Sequence, residues 1–364
     1  MNREKLQELI QNCHADGRKT AVSFCSYIPQ EILEAAGFYS LRLPYIDGVK
    51  DSASGTLPKN LCPIVKNCCN ICEDASLSEA SLILAETSCD GKKKMYELLS
   101  HPERVYFYQA PQGADREYVK PLIQSECRYL VKELEKRFGI ALSEEQIRTA
   151  GELLNSERES ILELMEIQRQ IPPAAWGTDI FRILEEHRAI PDVKERTRAN
   201  RAARKLLLSR KSSVPKSAAR ILITGCPLSA VYDKILNIIE KSGGAVVCFE
   251  TCEVVKYAMR HFDTENQDVF AALADCYQNT ACAIMSPNDR RFSLIRRSCS
   301  DYQVDGILDV TLQTCHSYTV ERDKMRRFCK DTLHIPYMSA ETDDSDSDTG
   351  QLRTRIAAFI EMLA

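Results

Sequence analysis

The stretch SLILAETSCDGKKKMYELLSHPERVYFY, residues 81–108, decides how the rest of the chain is read. Ser81–Glu86 has the length and apolar content of a buried strand, Thr87–Gly91 is a turn, Lys92–Leu99 a helix, and Val105–Tyr108 a second strand. Strand, helix, strand in that order is the parallel crossover unit, whose sheet is covered by helices.

Working outward, the same grammar recurs on both sides. Upstream, Arg3–Cys13 has helical spacing, Thr20–Phe24 (TAVSF) is a buried strand closing at Cys25, Pro29 starts a helix that stops at Gly37, and Tyr39–Leu43 is a short strand. Asp47–Lys59 is a polar loop, and Cys62-Pro63 opens another helix. Downstream, Arg116–Arg210 carries 3.6-residue periodicity and no strand; Ser143 with Gln146 forms a capping-box signature for a helix running to about Arg169, stopped by Pro172-Pro173. After a Lys211–Ser217 linker, strands at Arg220–Thr224, Ala245–Phe249, Ala283–Met285, Gly306–Val310 and Ile335–Ser339 alternate with helices at Ser229–Lys241, Val254–His261, Gln267–Asn279, from Asn288, Tyr318–Leu333 and Gln351–Leu363. The pattern predicts two doubly wound α/β domains, 1–115 and 218–364, with a helical insert and linker over 116–217 that can pack on the first.

Composition narrows the function. The chain has 364 residues, 44% of them apolar, which is enough for two substantial cores. Lys+Arg 48 against Asp+Glu 52 gives a net charge of −4, with no basic excess for a nucleic-acid partner. No run of 18 apolar residues spans a membrane, and the first residues, MNREKLQELI, are amphipathic and charged rather than an export signal. The expectation is a soluble cytoplasmic protein whose thiols are reduced. Its 16 cysteines are then buried hydrophobes, catalytic or redox thiols, or ligands of a metal or cluster.

Their positions favour ligands. Cys25 follows TAVSF, Cys89 follows SLILAETS, Cys226 follows ILITG, Cys252 follows AVVCFET and Cys315 comes shortly after GILDV. All five fall just past the carboxyl end of a predicted strand, the edge of an open parallel sheet where ligands bind and helix N-termini favour anions. Cys62, before Pro63, shares that advantage. Cys248 lies inside a strand and reads as packing. Cys69 and Cys72 form a lone C-x-x-C without the partner pair that structural zinc requires; Cys72 is retained as a candidate cluster ligand, with Cys68 and Cys69 as bystanders.

Other signals are weaker. Lys92, Lys93 and Lys94 fall in the first turn of the predicted helix, where cations oppose the helix dipole, so that either an anionic group compensates them or they form a solvated basic face. Asp343–Asp348 lacks the glycine and the final glutamate of a calcium loop. Gly225-Cys226-Pro227 is not a dinucleotide fingerprint, and no phosphate-binding G-x-x-x-x-G-K-[ST] occurs. His316 adjoins Cys315, but neighbours at a strand-to-helix turn point apart, against a Cys–His hydrolase.

Tyr27–Gly37 (YIPQEILEAAG), Leu61–Lys66 (LCPIVK), Glu86–Glu97 (ETSCDGKKKMYE), Ile221–Pro227 (ILITGCP), Ser286–Arg290 (SPNDR), Asp305–Tyr318 (DGILDVTLQTCHSY) and the segment from Ile335 to Leu363 together resemble the 2-hydroxyacyl-CoA dehydratase component D family. CDGKKKMYE and ITGCP look most like its double-cubane-cluster branch, whereas CCNIC departs from the aromatic, glycine-containing run expected there. The resemblance implies an iron–sulfur cluster at the interface of two α/β domains, reduced by a separate ATP-hydrolysing activator with its own [4Fe–4S] cluster. It also implies a homodimer and anaerobic chemistry. In dehydratase subunits three cysteines hold one cubane, and Cys62, Cys89 and Cys315 fall at the matching positions. A double cubane, [8Fe–9S], needs six, to which Cys226, Cys72 and Cys25 are the additions, with Cys282 and Cys252 as alternatives to Cys25.

The leading expectation is therefore a reductase that receives low-potential electrons and reduces small molecules. The alternatives are a 2-hydroxyacyl-CoA dehydratase subunit with one [4Fe–4S] cluster, whose open iron acts as a Lewis acid, and a non-catalytic electron carrier.

Overall fold

The computed structural model describes residues 1–43, 45–51, 53–74, 80–113 and 115–363. The chain divides into two compact units, Met1–Arg158 with Arg188–Arg196 and Met259–Asn288, and Glu159–His187 with Thr197–Ala258 and Asp289–Ala364. Each contains a four-stranded, wholly parallel sheet, so the α/β class and the two doubly wound sheets read from the sequence are present.

In the first unit α1 (Arg3–Ala15) leads into β1 (Lys19–Ser23), α2 (Gln30–Ala35), β2 (Phe38–Arg42), α3 (Pro63–Glu73), β3 (Leu82–Glu86), α4 (Asp90–Tyr96) and β4 (Val105–Tyr108). The strand order is β2-β1-β3-β4. β1 and β3 are central and almost fully buried; β3 (LILAE) reads as an apolar run, whereas β1 (KTAVS) buries Thr20 and Ser23 beside Ala21 and Val22. The core on one side joins Ile32, Leu84, Leu130 and Leu273, drawing in α5 (Val119–Phe138) and a later helix, α11 below. Each such side chain contributes about 1.5–3 kcal/mol on burial.

The segment without strands holds α5, α6 (Glu144–Glu166), α7 (Gly177–Arg188) and α8 (Val193–Leu208). The capping box forms as read: the Gln146 amide donates to Ser143 Oγ at 3.2 Å and the Ser143 amide to Gln146 Oε1 at 2.8 Å.

In the second unit β5 (Ala219–Gly225), α9 (Tyr232–Lys241), β6 (Gly244–Glu250) and α10 (Val255–Ala258) come first. The chain then contributes α11 (Val269–Gln278) to the first unit and returns with α12 (Asp289–Asp301), β7 (Gly306–Leu312), α13 (His316–Arg327), β8 (Tyr337–Thr342) and α14 (Thr349–Glu361). The strand order, β6-β5-β7-β8, repeats the topology of the first sheet. Buried Arg220 ties its N-terminal edge by donating to the carbonyls of Gln168, Gln170 and Tyr302.

Three expectations change. Ala283–Met285 is not a strand: the Met285 amide closes a turn on Cys282 O at 3.0 Å, and both residues pack with Tyr27 and Ala110 instead of pairing in a sheet. The helix expected over Val254–His261 shrinks to α10. The last strand starts two residues later than read, at Tyr337, because Pro336 has no N–H and only accepts, from Ile307.

Candidate functional site

In each sheet the chain winds one way from the first strand and the other way from the third, and these two strands lie side by side. The carboxyl ends of such a pair form the switch point, where crossovers diverge and leave a crevice. In the first unit Cys25 lies two residues past β1 and Cys89 three past β3. In the second, Cys226 directly follows β5 and Cys315 lies three past β7. Cys252 follows β6, an edge strand, outside that pair. Neighbouring strand ends are a tertiary fact that five equivalent strand-end addresses in the sequence did not contain.

Cys62, Cys89 and Cys315 are the N-cap residues of α3, α4 and α13, and none of the three caps its helix with its side chain. A helix start of this kind favours an anion through its first-turn amides and the helix dipole. Cys226 is held by the strand beside it, its amide donating to Val310 O at 2.9 Å and its Sγ accepting from the Leu312 amide at 3.4 Å. Cys25 is half-buried, accepts from Ser88 Oγ at 3.5 Å, and packs against the small cluster containing Cys282. Cys72 lies in the last turn of α3, ten residues from Cys62, which is about 15 Å along a helix. Burial pushes the Cys72 thiol up, the neighbouring thiols of Cys68 and Cys69 and the Glu73 carboxylate add to the rise, and Arg104 opposes it.

Sequence reading missed the group that connects the thiols of the first unit. Lys92 is buried, with its Nζ in an ion pair with Glu86 and donating to Phe24 O at 3.3 Å. Glu86 is fully buried and also accepts from Ser88 Oγ at 3.3 Å and from Tyr96 Oη at 3.1 Å. Burial opposes the charge on Lys92. Even so, Glu86 and the thiols of Cys25, Cys68 and Cys89 hold its ammonium well above the ordinary lysine value. Cys68, read as a bystander, is pushed up by burial and senses Lys92, Glu86, Cys62 and Cys89.

The lysine run is corrected too. Because α4 starts at Asp90, an acidic residue occupies the first turn, while Lys93 and Lys94 stand in the last turn, where cations suit the dipole. Lys94 pairs with Glu97 at 2.9 Å. Of the two readings of the run, compensation by an anion holds for Lys92, whose partner is Glu86 on the preceding strand.

A similar pair occurs in the second unit. Glu250, at the end of β6, is fully buried and pairs with Lys256, again six residues later, at 3.1 Å. Lys256 donates to Tyr318 Oη at 3.0 Å, and Arg291 approaches Glu250 at 3.5 Å while donating to Thr224 Oγ1 at 2.7 Å.

Several other cysteines are buried in helices and strands. Burial pushes Cys276 up to about 11 and Cys127, Cys299 and Cys329 up to about 12, and it raises Cys248, inside β6, as well. All 16 stand as thiols. Among the described residues no group of three or more Cys, His, Asp or Glu side chains converges on a single-ion site, and no helix is long and apolar enough to cross a membrane.

Two parallel doubly wound sheets with cysteines at both switch points define an α/β protein built to present thiols at strand ends. Over residues 25–363 the chain matches the family described as 2-hydroxyglutaryl-CoA dehydratase, D-component, and it belongs to that family. It is 37% identical to a protein of Escherichia coli (strain K12) named "Putative dehydratase subunit YjiM", with 94% of this chain and 90% of the relative covered. It is 22% identical to the (R)-phenyllactyl-CoA dehydratase beta subunit of Clostridium sporogenes, over 98% of this chain and 94% of that one. With the lactoyl-CoA dehydratase subunit beta of Anaerotignum propionicum the identity is 19%, over 93% and 90%.

Proposed function

We propose that this chain is an iron–sulfur component of the family, with Cys25, Cys62, Cys72, Cys89, Cys226 and Cys315 as ligands of an [8Fe–9S] double cubane. It receives low-potential electrons from an ATP-hydrolysing [4Fe–4S] activator and delivers them to a small unsaturated or nitrogenous molecule in the cytoplasm, as a homodimer. The observation that carries this reading is the pairing of Cys25 with Cys89, and of Cys226 with Cys315, at the two switch points. The donor set fits such a group: soft thiols, three of them at helix N-caps where the dipole favours an anion, and the buried Lys92 ammonium held at Glu86 and at the carbonyl of Phe24, the residue before Cys25. When bound, the cluster supplies storage and transfer of electrons at low potential; the protein's part is to hold the thiolates and balance their charge.

A second reading has its own support. The remoteness of Cys72 along α3 favours a smaller set, Cys62, Cys89 and Cys315, holding one [4Fe–4S] cluster. That set belongs to a 2-hydroxyacyl-CoA dehydratase subunit working with a second, non-identical subunit, as the names of the beta-subunit relatives imply for those proteins.

Iron and acid-labile sulfide per chain, measured on anaerobically purified protein with zinc in parallel, test both. About eight irons with slightly more sulfide supports the double cubane, and about four supports the dehydratase subunit. Zinc alone, or no metal after anaerobic reconstitution, overturns both.

A further inference from the structure

The buried Glu86–Lys92 pair is an unusual use of charge. An ion pair removed from water loses solvation that its mutual attraction barely repays, so an apolar pair of similar size would serve stability as well. Here both partners are buried, and the carboxylate is oriented by Ser88 and Tyr96 as well as by the lysine. Lys92 reaches Glu86 from the first half of α4 and is fastened a second time, to the carbonyl of Phe24, the residue before Cys25. It therefore cannot swing out to solvent, as a surface lysine does. Ser88 Oγ stands within hydrogen-bond distance of both Glu86 Oε1, at 3.3 Å, and Cys25 Sγ, at 3.5 Å, and Cys89 is the N-cap residue of α4, three positions before Lys92.

We infer that Lys92 is a positioning residue whose fixed positive charge, held by Glu86, sets the reduction potential of the group bound at the Cys25 and Cys89 thiols. The inference rests on the cluster reading above and deepens it. Taking up one electron adds one negative charge to the cluster, and in a site of low dielectric a cation nearby stabilises the reduced form more than the oxidised one. A carboxylate nearby does the opposite. The two partners of one ion pair therefore carry opposite signs of effect, which distinguishes tuning from mere support of the fold: a structural role makes both substitutions harmful in the same way.

The experiment is a reductive titration of the anaerobically reconstituted protein with titanium(III) citrate, followed by electron paramagnetic resonance, on wild type, Lys92→Met, Lys92→Arg and Glu86→Gln. Iron per chain and melting temperature are recorded for each. Lys92→Met is expected to shift the midpoint to more negative potential, Glu86→Gln to shift it to more positive potential, and Lys92→Arg to stay near wild type. Shifts of the two charge-removing variants in the same direction, or in neither, overturn the inference while leaving the cluster intact. Where Lys92→Met fails to load iron, Glu86→Gln decides alone: a positive shift supports the assignment, and none or a negative one overturns it. A wild-type protein that binds no iron overturns the cluster reading itself, and this inference falls with it.

Discussion

Gly225 lies against Val310 so closely that a Cβ built on it would stand 1.9 Å from the Val310 carbonyl oxygen. Its φ of +119° is open to glycine and strained for any other residue. The next residue, Cys226, donates its amide to that same carbonyl, so the close approach of β5 to β7 is what aims the thiol. Gly225→Ala is therefore expected to cost about 3 kcal/mol or more and to displace Cys226, read as a lower melting temperature together with reduced iron per chain. An alanine variant with wild-type values of both contradicts this account.

Single alanine replacements sort the cysteines. Cys62→Ala, Cys89→Ala and Cys315→Ala are each expected to lose most bound iron, since they belong to the ligand set under either reading. Cys226→Ala separates the readings, losing iron only if a double cubane is present. Cys248→Ala, inside β6, is expected to keep its iron and lose roughly 1–2 kcal/mol of stability from the small void it leaves.

Glu31 and Arg158 form an ion pair inside the first unit at 2.7 Å, with side chains 0% and 1% exposed, and Tyr277 Oη donates to the other Glu31 oxygen at 2.7 Å. Glu31→Gln leaves the guanidinium without its counter-charge and is expected to cost about 3–5 kcal/mol in denaturant unfolding. Adding Arg158→Met should recover part of that loss. A double variant as unstable as the sum of the two singles would show the pair to be uncoupled.

The buried thiols predict an alkaline limit to stability. Burial raises Cys127 from 9.0 to about 12, the Tyr108 hydroxyl 3.7 Å from its sulfur opposing only part of the rise. Between those values the unfolded chain releases this proton and the folded chain keeps it, so stability falls as pH rises, by about 1.4 kcal/mol per pH unit for one such group. The effect is absent below pH 9 and complete by about pH 12. Cys127→Ala should flatten the pH dependence of unfolding across that window by one proton's worth; an unchanged slope would refute the assignment.

Much of the architecture was legible because local patterns carry it. β3, β5 and β7 are buried on both faces, so they stand in the sequence as mainly apolar runs that need no partner to be recognised. The capping box at Ser143 is complete within four residues. Ala283–Met285 misled for the complementary reason: a short apolar run also suits a turn packed under Tyr27 and Ala110, and periodicity does not separate the two.

The sequence by itself determined that the chain makes two parallel α/β sheets and that six of its 16 cysteines fall at strand ends or helix starts, since both follow from local spacing. Only the tertiary structure decided which strand ends are neighbours, setting Cys25 with Cys89 and Cys226 with Cys315 on central strands and leaving Cys252 on an edge. It also turned Lys92 inward onto Glu86, where the sequence offered only one lysine in a run of three. The physical reason is that strand order and buried charge pairing are settled by contacts between segments far apart in the chain. Hydrophobic periodicity records only which residues are covered, and is silent on what covers them.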